Sequence, residues 1–233
     1  MADTPDRFQF AAAGHIISAR WTPAAPPPIA AAAVAHGAGA GMEHPFVAGA
    51  ATGLASAGIA VLRFNFPYME VRRRLPDPTP ILLDTWNEAV TELAGRGPGL
   101  PMVMGGKSMG GRMASMLAAA QGAGFPGAAL VFFGYPLHPA GRTDRLRDTH
   151  LAQIRVPMLF LQGTRDALAR VDLIEGVVRR LAPLARLHVV PDADHSFRVR
   201  GAKRSDHEIG HELGQIAARY VREIIRGPRA ALS

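Results

Sequence analysis

The chain has 233 residues, 48% of them hydrophobic, which is enough apolar material for one sizeable core and excludes bulk disorder. It contains no cysteine, which excludes a disulfide framework, a thiolate zinc site and a cysteine nucleophile. The formal net charge is +7, but the arginines are scattered and not interleaved with aromatics, so the surface reads as solvated rather than nucleic-acid-binding.

The N-terminal stretch MADTPDRFQF lacks a basic start followed by an apolar run, so no secretory signal is expected. No segment approaches the roughly 18 unbroken apolar residues of a membrane span, and a cytoplasmic location with no membrane partner is expected. RFQFAA and HIISARW flank Gly14 and read as an antiparallel hairpin at a sheet edge. TPAAPPP at 22–28 is a stiff connector within one domain spanning 1–233.

Six short apolar runs bounded by glycine or proline then read as strands: Ala30–Ala35, Ala60–Phe64, Pro101–Met104, Ala128–Phe133, Met158–Gln162 and Leu187–Val190. They are apolar almost throughout, as strands buried on both faces of a parallel sheet are. Helix-length segments lie between them at about 44–57, 80–94, 109–121, 167–182 and 205–225. In the second of these, Thr79 is placed to cap, Pro80 to open the helix and Gly95 to stop it; Ile81, Leu82, Thr85, Trp86, Ala89 and Leu93 share one face. Alternating strands and helices with short connections predict an α/β fold: a doubly wound, mostly parallel sheet with helices on both faces.

In such sheets ligands bind beyond the carboxyl ends of the strands. Three of those ends carry chemistry. After Pro101–Met104 comes Gly106-Lys107-Ser108-Met109-Gly110, a G-x-S-x-G in a strand–turn–helix setting. A nucleophile on so sharp a turn needs small neighbours, and the Met109 N–H at the helix start can face a developing oxyanion. After Met158–Gln162 comes Asp166, which can orient an imidazole or instead cap the following helix. After Leu187–Val190 comes His195, a candidate general base; Asp192 and Asp194 compete for the acid role but sit very close to it in sequence. The order Ser108, Asp166, His195 is that of an α/β-hydrolase. The glycine-rich turn HGAGAG after Ala30–Ala35 is expected to supply a second oxyanion donor, Ala38 with Gly39 as the alternative, while His36 shapes the turn.

HGAGAGMEHPF, RFNFPY, GGKSMGGRMAS and DADHSF together resemble the α/β-hydrolase superfamily over nearly the whole chain. Among its members they resemble the small dienelactone-hydrolase-like proteins with little or no cap domain, and a subgroup related to the hydrolase-like subunit of a eukaryotic histone-acetyltransferase complex. The resemblance implies nucleophile, acid and base roles for Ser108, Asp166 and His195. Dienelactone hydrolases proper use cysteine, which this chain lacks, so their lactone substrate is not implied.

His207-Glu208-x-x-His211 spells the short zinc-protease motif, with Gly214 where its longer form has glycine. The third histidine of that form would fall at Ala217, and no acidic residue follows Glu223, so a third protein ligand is missing. The segment reads instead as a closing helix with an apolar stripe of Ile209, Leu213, Ile216, Ala217, Tyr220, Val221 and Ile224. The expectation is a carboxylesterase-like serine hydrolase acting on a small-molecule ester, thioester or related acyl bond, with no metal and no cofactor. An acyltransferase shares the triad, and a silent hydrolase-fold scaffold is the alternative from another class. Tyr68, Met69 and Arg72, on the arginine-rich loop after Ala60–Phe64, are candidate substrate contacts.

Overall fold

The computed structural model describes residues 6–227; the outermost ends of the 1–233 span expected above lie outside the described residues. Eight strands form one sheet: β1 (Asp6–Ala12), β2 (His15–Thr22), β3 (Ala30–Ala35), β4 (Ile59–Phe64), β5 (Met102–Lys107), β6 (Gly127–Phe133), β7 (Met158–Gly163) and β8 (Ala185–Val190). The helices are α1 (Pro45–Ser56), the single turn α2 (Pro67–Glu70), α3 (Thr79–Arg96), α4 (Met109–Gln121), α5 (Val171–Arg180) and α6 (Asp206–Arg226). The sheet order is β1-β2-β4-β3-β5-β6-β7-β8. The hairpin β1–β2 joins β4 in antiparallel fashion, and every pairing from β4 to β8 is parallel. The strand order reverses at β3, whose neighbours β4 and β5 leave on opposite sides. That reversal opens a crevice at the carboxyl ends of β3 and β5.

Strand alternation explains the apolar runs. Ala31, Ala33 and Ala35 of β3 enter the core beneath α3 and α4, while Ala30, Ala32 and Val34 enter the core beneath α1 and α6. Both faces are dry, so β3 holds as a strand by burial and its two ladders although alanine is a weak strand former. Residues Leu187–Val190, expected to be buried on both faces, are only partly buried because β8 is an edge strand.

Helix boundaries differ from the sequence expectation where local hydrogen bonding overrides residue type. Pro78, not Thr79, is the N-cap of α3, and Pro80 is its second residue; prolines there cost nothing because the first amides have no intrahelical partner. Gly95 lies inside α3, and the helix stops at Gly97, whose N–H bonds the Leu93 carbonyl. Helix α5 begins at Val171 rather than near 167, since residues 164–170 form a turn. Leu82, Thr85, Trp86, Ala89 and Leu93 form the buried face of α3, with Ile81 at its margin. Trp86 packs edge-on against Phe64, ring centroids 5.1 Å apart.

Helices α1 and α6 meet backbone to backbone. A Cβ on Gly49 or Gly53 would lie 2.1 Å from the carbonyl oxygen of His207 or His211. One on Gly210 or Gly214 would lie 2.1 or 2.4 Å from the carbonyl oxygen of Phe46 or Ala50. These two Gly-x-x-x-Gly pairs interlock, so Gly214 is a packing residue. Glu208 completes a capping box with Ser205, and His211 Nδ1 lies 3.2 Å from Thr52 Oγ1. The HEIGHELG stretch is therefore explained by helix capping and helix packing.

Gly210→Ala is expected to lose about 1–3 kcal/mol by overpacking. Gly95→Ala, with nothing within 4 Å of the added carbon, is expected to gain about 0.5–1 kcal/mol. Urea unfolding of both variants beside the parent checks the pair; equal effects would overturn the packing role.

Candidate active site

Strand β5 ends at Lys107 and α4 starts at Met109, so Ser108 alone makes the turn, at φ 50° and ψ −115°. That region is costly for an L-residue and persists only where surroundings impose it. Here they do: a Cβ on Gly106 would lie 2.3 Å from the Ala35 carbonyl oxygen, and one on Gly110 would lie 2.6 Å from the carbonyl oxygens of Ala35 and His36. Both glycines of G-x-S-x-G are thus required by the close approach of β3. The Ser108 N–H is bonded to the Phe133 carbonyl at 3.1 Å, which fixes the turn from the other side.

Three sequence-predicted residues meet. His195 Nε2 lies 2.9 Å from Ser108 Oγ, and His195 Nδ1 lies 2.7 Å from Asp166 Oδ2. Asp166 is nearly buried, and its carboxylate also accepts from Gln162 Nε2 and, at 2.7 Å, from the Leu168 N–H. Asp166 therefore caps a local turn and not α5. The competing carboxylates are placed elsewhere. Asp194 Oδ1 accepts from the Ser196 and Arg198 amides at 2.8 and 3.0 Å, and Asp192 is exposed. Gln162, fully buried at the end of β7, was not assigned a role from sequence; its position four residues before the acid is the feature that marks it.

The turn after β3 forms the opposite wall. His36 has no exposed surface; its Nδ1 lies 2.9 Å from the Gly37 carbonyl and its Nε2 accepts from the Phe66 N–H at 3.1 Å. Burial lowers its pKa to about 4, so the ring is a neutral strut. The Ala38 and Met109 amides have no hydrogen-bond partner among the described residues. The Tyr68 hydroxyl lies 3.4 Å from the Gly37 carbonyl oxygen, and burial raises its pKa to about 12.

The cavity beside Ser108 measures about 310 Å³. Phe46, Val47 and Leu168 give it apolar walls, and His44, Arg198 and Asp206 form its polar rim. Arg198 grips Asp206 with two hydrogen bonds of 2.8 Å and keeps that carboxyl below the usual carboxylate range. The connection between β6 and β7, residues 134–157, carries one short 3-10 turn, Thr149–Gln153, and no lid domain.

Tyr68, Met69 and Arg72, expected as substrate contacts, do not line this cavity. Their loop is pinned back on the sheet, with the Glu70 carboxylate on the Ser18 amide and hydroxyl at 2.9 and 3.0 Å and Asp77 on the Tyr68 amide at 2.8 Å. Tyr68 is wholly buried beneath the turn after β3, Met69 packs beside Gly41, and Arg72 is exposed.

A second serine–histidine pair, Ser115 Oγ and His150 Nε2 at 2.8 Å, lies under α4. Ser115 has no exposed surface and donates its hydroxyl to the Arg112 carbonyl at 2.7 Å, so this pair closes a buried polar gap. Among the described residues no three His, Asp or Glu side chains are grouped to hold a metal ion. No described helix is long and apolar enough to cross a membrane.

The His36 strut gives a pH dependence. The unfolded chain binds a proton below about 6.5, whereas the folded ring resists it until about 4, so stability falls as pH falls through that window. At about 1.4 kcal/mol per pH unit, the window is worth about 3 kcal/mol for this ring. His36→Gln removes it. Urea unfolding at pH 7.5 and pH 4 is expected to show the stability gap between parent and variant narrowing by that amount.

Comparison with known proteins agrees with this architecture. The family model for an alpha/beta hydrolase domain matches residues 29–225. An alpha-beta serine hydrolase homologue from Coxiella burnetii superposes with a TM-score of 0.73 at 17% identity, covering 95% of this chain and 98% of that one. A serine hydrolase without lid from Xanthomonas campestris gives 0.70 at 19%, with 95% and 96% covered. Dienelactone hydrolase from Anabaena variabilis gives 0.72 at 21%, with 94% and 97% covered. At these identities the solved structures speak for the fold alone, while the matched family model covers most of the chain: it belongs to the α/β-hydrolase family.

Proposed function

We propose that the chain is a single-domain, carboxylesterase-like serine hydrolase that cleaves an ester, thioester or related acyl bond of a small molecule. The observation that carries this reading is the unbroken hydrogen-bonded row from Ser108 through His195 to Asp166 at the mouth of an open cavity. Family membership supports hydrolysis in general; the nucleophile, the acid and the acyl bond are our assignments.

In this mechanism His195 Nε2 takes the Ser108 proton as Oγ attacks the substrate carbonyl carbon. Asp166 holds Nδ1–H and so fixes the tautomer that leaves Nε2 free to accept; Gln162 and the Leu168 amide hold Asp166 in turn. The carbonyl oxygen gathers charge between the Met109 and Ala38 amides, with the N-terminus of α4 adding its dipole. The protonated imidazole passes its proton to the leaving alcohol or thiol. Water, deprotonated by His195, then attacks the acyl-Ser108 ester and frees the acid. The steps draw on side chains, backbone amides and water. A cavity of about 310 Å³ is at the small end of ligand sites and suits a short acyl or alcohol group. The cytoplasmic setting and the lack of a nucleic-acid partner rest on the sequence reading.

A fluorophosphonate probe, read by intact mass, is expected to add once to the parent chain and not at all to Ser108→Ala. Asp166→Asn is expected to slow hydrolysis of a p-nitrophenyl ester by about 10³–10⁴-fold, because the wrong histidine tautomer is then favoured. A folded parent chain that takes up no probe would move the weight to the scaffold reading.

A further inference from the structure

Lys107 sits between Gly106 and the proposed nucleophile, and the steps above do not use it. Strand alternation sends its side chain to the α1 side of the sheet, opposite to the core beneath α4. There Nζ donates to the His195 carbonyl oxygen at 2.6 Å. It lies 5.9 and 5.5 Å from the ring centroids of Phe46 and Phe197, which stack on each other 5.6 Å apart. Gly134 keeps the space open: a Cβ there would lie 3.0 Å from Nζ and 3.5 Å from His195 Cε1. The ammonium thus touches the backbone of the loop that carries His195, and a side chain at 134 would crowd it.

The His195 loop needs such an anchor. Residues 191–204 form turns rather than a helix or a strand, and Phe197 is held at φ 63°. The Asp194 carboxylate ties the downstream amides of the loop, but no backbone bond from the sheet reaches the His195 carbonyl itself.

We propose that Lys107 is a positioning residue: its ammonium, fixed on the His195 carbonyl, holds the imidazole in line between Asp166 and Ser108. The proposal rests on the triad assigned above. The charges facing Lys107 are the carboxylates of Asp166 and Asp194, and His44, His195, Arg198 and Asp206 line the same cavity. Burial brings the ammonium down to about 8 against the pull of the two carboxylates. A neutral amine donates a weaker hydrogen bond than an ammonium, so the anchor loosens as pH rises through that value.

The test compares the parent chain, Lys107→Met and Lys107→Cys, each checked for folding by thermal melting. The rate of fluorophosphonate addition at Ser108 is measured from pH 6 to 10. Lys107→Met is expected to react about 10–100-fold more slowly, as for a catalytic geometry lost by misplacement. The parent is expected to decline above about pH 8, and Lys107→Met is expected to lack that decline. Because the chain has no cysteine, Lys107→Cys can be converted by bromoethylamine at that one position to an aminoethyl side chain of nearly lysine length. Conversion is expected to restore both the rate and the alkaline limb. A folded Lys107→Met with the parent's rate and pH profile overturns the proposal. So does a folded, converted Lys107→Cys that stays slow. A readout independent of reactivity is the low-field proton resonance of His195 Nδ1–H on Asp166: it is expected in the parent and shifted or lost in Lys107→Met. If the parent takes up no probe, the hydrolase reading fails, and this resonance still decides the role of Lys107: an unchanged signal in Lys107→Met overturns it.

Discussion

The site depends on one strained residue. Ser108 holds a backbone conformation that costs an L-residue of the order of 1–3 kcal/mol, and it holds it because there is no room to relax. Strand β3 lies so close that its Ala35 and His36 carbonyls leave no space for a side chain at Gly106 or Gly110. The same approach brings the turn after β3 within reach of the serine: Gly37 would meet Ser108 Cβ at 3.5 Å if it carried a Cβ of its own. Ser108 and the turn after β3 are thereby set by one contact between neighbouring parallel strands. The stability that tolerates the strain comes from the two dry cores on either face of the sheet.

Around that contact the histidines divide by burial. His36 and His150 are held neutral by desolvation and serve as rigid hydrogen-bonding blocks in the scaffold. His195 is partly open to the cavity and bridges a hydroxyl to a carboxylate. An imidazole among apolar rings is a strut; an imidazole between a hydroxyl and a carboxylate at a cavity mouth has the means to move a proton.

Much of this was legible in the sequence because it is encoded locally. Apolar runs such as ALVFF mark strands buried on both faces, and G-x-S-x-G marks a turn that only small neighbours allow. The chain order of Ser108, Asp166 and His195 then selected the residues that meet. What was missed depends on partners remote in sequence. Nothing in GGKSMGG says that Lys107 reaches a carbonyl 88 residues away. The start of α5 was misplaced because Asp166, a good cap by residue type, is occupied by His195, Gln162 and its own turn. Tyr68 is a candidate substrate contact by its place after a strand, yet Asp77 and Glu70 hold its loop back against the sheet. The His-Glu-x-x-His spelling arose because a capping glutamate and two packing glycines share one helix with two histidines.

The glycine contact between α1 and α6 has a bearing on how the cavity can diversify. The N-cap and first residues of α1 supply His44, Phe46 and Val47 to the cavity, and the first residue of α6, Asp206, anchors Arg198 on its rim. Because the helices meet main chain to main chain, their separation is already at its minimum and cannot drift with ordinary side-chain replacement. The spacing acts as a fixed gauge block. Changes in the shape of the cavity must then be cut into the individual side chains at 44, 46, 47 and 198, each adjustable without re-setting the frame that holds the others.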